Sequence, residues 1–313
     1  MQKILLYEYF TGGGLLNEEL KSDLFFEAEL MRNNIEDCGR NSEDIQVHSL
    51  LDHRLKKHSN SNSILVKSDK KHIDIKLLKS YDYVLPIIPE TDMLLYSYVK
   101  YLEDNEINTL TSNSATIKVC SDKKKLHSYL FKSNISKPKI FDSKDAINPK
   151  SKIIIKPRLG AGCEDIRIID STSQFEYNNK YEIMESYIDG ESLSLSIFFT
   201  NTSFRLLSVN KQIINIQNNK LKLTGIVVNV YSKNSPEIIY LLSRIKNMLP
   251  GLYGFVGIDI IIDKGKIFVI EINPRLTTSF CGLYHALGIN LLDFIFTKHN
   301  KNIINSKQNY LKI

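Results

Sequence analysis

Residues 257–275 read Gly257-Ile258-Asp259-Ile260-Ile261-Ile262-Asp263-Lys264-Gly265-Lys266-Ile267-Phe268-Val269-Ile270-Glu271-Ile272-Asn273-Pro274-Arg275. Two apolar strands are joined by a short turn at Lys264-Gly265-Lys266, with glycine where a hairpin loop needs positive φ. A three-residue loop pairs Asp263 with Ile267 and sets Asp259 opposite Glu271, whereas a two-residue loop pairs Asp259 with Ile270. Like charges directly opposite destabilise a sheet, so a recessed carboxylate pair needs a cation or a shared proton. Asn273 lies two residues past Glu271 and shares its face. Two carboxylates and an amide oxygen form a hard, oxygen-only donor set. That set suits Mg²⁺ carrying substrate phosphates and does not suit zinc. Arg275 follows, placed to meet negative charge. The alternative is an ordinary hairpin whose acids face solvent, and the rest of the chain decides between the two.

The chain has 313 residues, enough for two or three packed units. Its 42% hydrophobic and 24% charged content is that of a soluble globular protein. The net charge is +6, but lysine is scattered among Asn, Ile and Ser, and the one tight basic run is Lys123-Lys124-Lys125. A nucleic-acid binder clusters its charge, so that class is disfavoured. Cys38, Cys120, Cys163 and Cys281 are far apart, without the CxxC spacing of a zinc ribbon or redox pair. Reduced thiols in the cytoplasm are the simplest reading. The apolar run after Met1 is too short for a signal peptide, and none approaches the ~20 residues that span a membrane.

Residues 3–9 read as a buried strand running into Phe10-Thr11-Gly12-Gly13-Gly14. This loop is either a flexible connection or a ligand loop, and it lacks the GxGxxG dinucleotide fingerprint. A helix is expected over 17–36, with Leu20, Leu24, Ala28 and Met31 at helical spacing. Strands follow at 45–48 and 81–89, with Pro86 marking an end, and a helix runs from Glu90 through Leu102. His48, His53 and His58 share no face and read as surface residues. This alternation argues for an open, mainly parallel sheet ending near residue 112. A second unit opens with one helix over 115–131, which contains Ser121-Asp122-Lys123. An apolar strand then ends in Lys156-Pro157, and Gly160-Ala161-Gly162 follow. Small residues let backbone N–H groups close over phosphate oxygens, and a lysine adds a compact charge. The order is not that of a P-loop, and a plain hairpin turn is the alternative. Strands continue at 181–189, 193–200, 204–216 and 221–230. A helix spans 236–248, the hairpin follows, 277–282 form a polar loop, and a helix from about 283 to 297 precedes a frayed Lys/Asn-rich tail.

Four signals stand in a fixed order: Asp122-Lys123, then Ile155-Lys156-Pro157 with its glycine loop, then Met184-Glu185-Ser186-Tyr187, then Asp259…Glu271-Ile272-Asn273-Pro274-Arg275. This set resembles the ATP-grasp superfamily over most of residues 111–297. The run Glu271-Ile272-Asn273-Pro274-Arg275-Leu276-Thr277-Thr278-Ser279 is similar to tyramine–L-glutamate ligases and related enzymes. The resemblance implies an ATP-grasp fold, α/β with an α+β C-terminal part and an N-terminal open parallel-sheet domain. The expected units are 1–112 (the N-terminal domain), 113–190 (a small ATP-binding subdomain with the glycine loop), 191–300 (the subdomain with the metal site) and a tail, 301–313.

The resemblance also implies the chemistry. ATP activates a carboxylate as an acyl phosphate, and an amine then attacks to give an amide. The acid would be an amino acid such as glutamate. Lys123 and Lys156 would hold ATP phosphates under a lid of Gly160, Ala161 and Gly162. Glu185 would approach the adenine, and Tyr187 would offer backbone hydrogen bonds at its edge. Ser192 stands where many relatives place a ribose-binding glutamate, with Glu191 one residue early. Asp259, Glu271 and Asn273 would bind Mg²⁺ or Mn²⁺. Arg275, with Lys156, would stabilise the transferred phosphoryl group or the acyl phosphate. Thr277, Thr278 and Ser279 are candidate contacts for the acid, and Gly12 and Gly13 form a second substrate loop. A homodimer through the first domain is implied as well, with no membrane or nucleic-acid partner. A bicarbonate-dependent carboxylase and a catalytically silent ATP-binding regulatory or assembly protein of the same fold are the alternative functions.

Overall fold

The computed structural model describes residues 1–19, 22–67, 73–143, 147–148, 151–162, 165–231, 235–296 and 307–313. The chain opens as an α/β layer. Strands β1 (Gln2–Glu8), β2 (Ile45–Asp52), β3 (Ser63–Val66) and β4 (Tyr83–Ile87) form a parallel sheet in the order β3-β2-β1-β4. Ile4 through Tyr7 are buried on both faces of β1, as strands covered by helices on each side must be. Helices α1 (Ser22–Arg40), α2 (Ile75–Lys79) and α3 (Leu94–Asp104) connect or cover these strands. β3 was not foreseen, and β4 runs through Pro86 to Ile87. At this sheet edge the missing proline N–H costs no ladder bond. α1 starts later than expected, because residues 10–17 form turns. Ala28 and Met31 are buried as expected; Leu20 and the side chain of Leu24 lie outside the described residues. Glu90 does not begin a helix: Thr91–Met93 form a 3-10 turn, in which Asp92 (φ 48°) and Met93 (φ 64°) are left-handed.

The single helix expected over 115–131 is two, α4 (Ser114–Cys120) and α5 (Lys123–Lys132). Asp122 breaks them. Its backbone is extended, and its carboxylate accepts from Lys124 N (3.1 Å) and Lys125 N (3.4 Å), as an N-cap does. Arg158 fixes that carboxylate from the glycine loop, with Nε at 2.8 Å and Nη2 at 2.7 Å.

One ten-stranded antiparallel sheet follows, in a small part and a large part. The small one orders β7 (Arg167–Asp170), β6 (Lys152–Pro157), β8 (Glu182–Ser186) and β5 (Ile140–Phe141). The large one orders β13 (Lys266–Asn273), β12 (Gly254–Asp263), β9 (Glu191–Phe199), β10 (Phe204–Gln217) and β11 (Lys220–Tyr231). The two parts are joined by one register pair, Lys220 with Arg167, and face each other across a cleft spanned by Lys123, whose Nζ reaches Gly160 O of one and Glu271 of the other. Helix α6 (Pro236–Met248) buries Ile238, Leu241, Leu242 and Ile245 on the apolar side of the large sheet, against Leu193, Leu195, Val256 and Ile258.

The expected closing helix is also broken. α7 (Leu283–Leu287) stops at Gly288, whose φ of +69° is a left-handed C-cap, and α8 (Leu291–Phe296) begins after it. Thr297 and residues 298–306 lie outside the described residues. The end of the tail is not frayed: β14 (Asn309–Lys312) pairs antiparallel with β11. Gly225 leaves the Tyr310 ring its seat, since a Cβ there would meet the phenol oxygen at 2.7 Å. The N-terminal layer docks through α1, whose Met31, Ile35 and Cys38 share one core with Phe280, Leu287 and Leu291. Among the described residues no helix is long and apolar enough to cross a membrane.

Candidate active site

The hairpin turn differs from expectation, yet the site pairing is reached. Asp263 pairs with Lys266, so the loop has two residues, Lys264 (φ 48°) and Gly265 (φ 79°). Two positive φ values describe the twist-matched turn that short hairpins prefer. Without interruption that turn would set Asp259 against Ile270. A β-bulge intervenes: Ile260 pairs with Val269, Ile270 is the extra residue, and Asp259 faces Glu271. Gly257 pairs with Asn273, which keeps the amide on the same face.

The face carries more polar groups than the sequence suggested. Gln212 Nε2 donates to Asp259 Oδ1 at 3.0 Å, and Asn273 Nδ2 to Oδ2 at 3.2 Å. Ser192 donates to Gln212 Oε1 at 2.7 Å, so it orients the amide that orients Asp259. Asp259 is partly exposed to the cleft. Loss of bulk water and then Glu271 opposite push its carboxyl up to about 7, against Asn273, Arg275 and Gln212, which favour ionisation. A carboxyl bonded only by amides and raised by burial and by a second carboxylate is in the condition that a bound cation relieves. With Asn273 beside it, the donor set fits a hard divalent ion. Among the described residues no group of three or more His, Cys, Asp or Glu forms a metal cluster, so phosphate oxygens or water must complete any such coordination.

Cationic groups surround this face. Lys123, at the start of α5, is buried; its Nζ donates to Gly160 O and lies 3.6 Å from Glu271 Oε1. Arg275 Nη2 donates to Glu90 Oε2 at 2.8 Å and Nη1 to Leu276 O at 3.2 Å. Burial works against its charge, but Glu90, Glu271 and Glu27 outweigh that and raise its pKa.

Across the cleft, Lys156 Nζ lies 2.8 Å from Glu185 Oε2 and His127 Nε2 lies 2.7 Å from Oε1. All three side chains are buried. Desolvation alone would raise Glu185, yet Lys156 and His127 bring it to about 2. The register puts Lys156 beside Ile183 and Ile154 beside Glu185, so both charged groups share one face of the small sheet. The glycine loop joins β6 and β7. Gly162 is exposed at φ +72° with open space around it, Gly160 and Ala161 are half-buried, and Cys163 lies outside the described residues.

The other predicted residues divide. Tyr187 N already donates to Lys152 O at 3.1 Å. Glu191 is bound by Tyr231 OH at 2.8 Å and by Lys211 Nζ at 3.3 Å. The expected polar loop at 277–282 is a 3-10 turn over Thr278–Gly282. Thr278 and Ser279 are buried: Thr278 Oγ1 donates to Glu27 Oε1 at 2.8 Å, and Ser279 Oγ lies 3.0 Å from Ser196 Oγ. Thr277 alone of the three is half-buried. Gly12 and Gly13 serve a tight turn. Gly12 N donates to Glu8 O at 2.7 Å, and a Cβ there would meet that oxygen at 2.4 Å. No hydrogen bond among the described residues joins them to the metal face; the N-terminal layer reaches it through Glu27 and Glu90.

Sequence reasoning missed Gln212, His127, Glu27 and Glu90, and singled out Ser192 only as the residue at the ribose position, not as a partner of Gln212. The polar residues 192, 194 and 196, set among Leu193, Leu195 and Ile197, were a legible signal. Such alternation marks a polar sheet face, and here that face is the site floor.

Two parts of an antiparallel sheet facing each other across a cleft, one presenting a lysine and the other a Mg²⁺-type oxygen set, define the ATP-grasp architecture. The chain belongs to the ATP-grasp family: an ATP-grasp domain model matches residues 120–279, and a pre-ATP-grasp domain model matches residues 45–117. It is 29% identical to a tyramine–L-glutamate ligase of Methanocaldococcus fervens over 288 residues, covering 90% of this chain and 89% of the relative. The enzyme of the same name from Methanocaldococcus jannaschii is 31% identical over 210 residues, covering 66% and 60%. Among solved structures, an ATP-grasp superfamily protein from Archaeoglobus fulgidus superposes with a TM-score of 0.78 at 26% identity, covering 100% of this chain and 92% of that one. An L-amino acid ligase from Bacillus licheniformis shares the fold at a TM-score of 0.62 and 14% identity, covering 94% and 73%.

Proposed function

We propose that this chain is an ATP-dependent, ADP-forming carboxylate–amine ligase that activates an amino acid such as L-glutamate and joins it to an amine. The observation that carries this reading is the bulge-built pair of Asp259 and Glu271. It shares a face with Asn273; Glu271 is paired with Lys123, whereas Asp259 is hydrogen-bonded only by amides, with Arg275 nearby.

Asp259, Glu271 and Asn273 would hold Mg²⁺ or Mn²⁺, which when bound neutralises charge on the ATP phosphates. Lys123 and Lys156 bind phosphate oxygens, and Glu185 sets Lys156 in place. Gly160, Ala161 and Gly162 close over the phosphates and exclude water from the acyl phosphate. Tyr187 and Glu191 border the nucleoside. The acid's carboxylate oxygen attacks the γ-phosphorus and ADP leaves. The amine, as its free base, then attacks the acyl carbon through nitrogen; the C–O bond to phosphate breaks, phosphate departs with that electron pair, and the nitrogen gives up a proton to solvent. Arg275 stabilises negative charge in both steps. Thr277, half-buried with its Oγ1 3.2 Å from Ser279 Oγ, is the most accessible hydroxyl of its run and the candidate contact for the acid. No covalent protein nucleophile is needed.

The test is ADP release by the purified chain with L-glutamate and a panel of amines. Release that requires both acid and amine, in step with amide formation, is the expected result. ADP release indifferent to every acid would sink the reading.

A further inference from the structure

Glu90 is left over by the chemistry above. Phosphates, magnesium and acid make no use of an anion from the N-terminal layer. The residue nonetheless sits at the place where an open parallel sheet offers a ligand crevice. Strand order reverses between β1 and β4, and Glu90 follows the carboxyl end of β4 by three residues. The turn that presents it spends backbone energy, since Asp92 and Met93 are consecutive left-handed residues with side chains. Asp92 N donates to Leu159 O at 2.9 Å, which ties this turn to the glycine loop.

The Glu90 side chain is 2% exposed. Its Oε2 takes Arg275 Nη2 at 2.8 Å, while its Oε1 has no hydrogen-bond partner among the described residues. A buried, unpartnered carboxylate oxygen is costly and persists where a ligand satisfies it. Glu271 and Glu27 also act on Arg275, so three carboxylates converge on one guanidinium. A compact cation with several N–H donors fits the remaining oxygen.

We propose that Glu90 is the amine-binding residue of this site: its free Oε1 takes the ammonium of the incoming amine substrate and holds that nitrogen beside the acyl group that Arg275 orients, and the ammonium gives one proton to solvent before its lone pair attacks. The inference rests on the ligase reading above. The bond from Asp92 N to Leu159 O ties the turn that carries Glu90 to the start of the glycine loop.

The test separates acid activation from amine capture. Full-length wild type, Glu90→Gln and Glu90→Asp are assayed with ATP, Mg²⁺ and L-glutamate. Hydroxylamine, which is uncharged near neutral pH, traps the acyl phosphate as a hydroxamate; tyramine probes ligation. Glu90→Gln retains an oxygen for Arg275, so the loss of amide formation should exceed any loss of hydroxamate formation at least about tenfold. The KM for tyramine should rise at least about tenfold, the loss expected of one charge-assisted hydrogen bond. Glu90→Asp should recover part of it. An unchanged tyramine KM in Glu90→Gln would overturn the assignment. So would an equal loss of hydroxamate and amide, which would make Glu90 only a support for Arg275. Absence of hydroxamate from wild type would overturn the ligase reading and take the Glu90 assignment with it.

Discussion

Glu185 and Asp259 are carboxyls on opposite walls of one cleft, and their charges are handled in opposite ways. Glu185 is sealed at 1% exposure and is driven down to about 2, because Lys156 and His127 overcome desolvation. Asp259 is open to the cleft and is driven up to about 7, because desolvation is joined by Glu271. The protein supplies the cations for the first and leaves the second to be completed from outside. A charge that the fold satisfies itself reads as positioning, and one that the fold leaves short reads as a binding site. The contrast can be broken at either wall.

The largest effect is expected at the metal wall. Glu271→Gln should cut ATP-dependent amide formation at least about a thousandfold, the scale of losing electrostatic stabilisation of a transition state. The fold should survive, because the substitution also removes the repulsion that raises Asp259. Steady-state rates together with thermal denaturation check both halves. A variant that ligates at near-normal rate would show that the pair does not hold the metal.

At the other wall the balance is reversed. Lys156→Ala leaves Glu185 buried with His127 as its remaining partner. Breaking a buried ion pair costs roughly 3–5 kcal/mol, and His127 keeps the loss near the lower figure. The same variant should need much more ATP for half-maximal rate. Chemical denaturation and the ATP dependence of turnover measure the two effects. Full stability with weak ATP binding would make Glu185 as incomplete as Asp259 and erase the distinction.

Much of this cleft was legible in the sequence, for a definite reason. The face proposed to hold the metal is local: Glu271, Ile272, Asn273 and Arg275 are neighbours, and the strand period alone puts Glu271 and Asn273 together. The lysine and glycine loop were legible likewise, since a strand end and a turn are short-range features. The helix break at Asp122 was not, because the signal is partly Arg158, 36 residues away in the chain. Glu90, Glu27 and His127 reach the site only through tertiary packing, and a bulge such as that at Ile270 carries no residue signature. The register argument reached the right pair through the wrong turn, because two one-residue departures cancelled.

The two carboxyls should also give opposite pH signatures. Glu185 has a folded pKa below its unfolded value of about 4.5, so its contribution is complete above that pH and is lost as pH falls through about 2. Asp259 is raised above its unfolded value of 3.8, so the ligand-free fold binds the extra proton and loses stability as pH rises from 3.8 through about 7. The slope for one such group is at most about 1.4 kcal/mol per pH unit. Melting temperatures from pH 5 to 8 should fall in wild type, and Asp259→Asn should remove that component. Saturating Mg²⁺ and ATP should flatten it too, by favouring the ionised form. An Asp259→Asn profile parallel to wild type would count against the shared-face geometry.

The smallest effect concerns how Asp259 reaches its partner at all. Gly265 has φ +79°, and nothing lies within 4 Å of where its Cβ would be. Gly265→Ala therefore costs only the left-handed conformation, about 1 kcal/mol. On a chain of 313 residues that lowers the melting temperature by roughly 1–2 °C. Catalysis should be unchanged, because the register beyond the turn is held by Ile262 with Ile267, Ile260 with Val269, and the bulge at Ile270. Of these, Ile260 and Val269 are fully buried in the core packed on α6. If ADP formation fell along with stability, the turn itself would set the Asp259–Glu271 pairing. The incomplete charge of the metal wall would then depend on two loop residues, unlike Glu185, whose cations come from a strand and a helix.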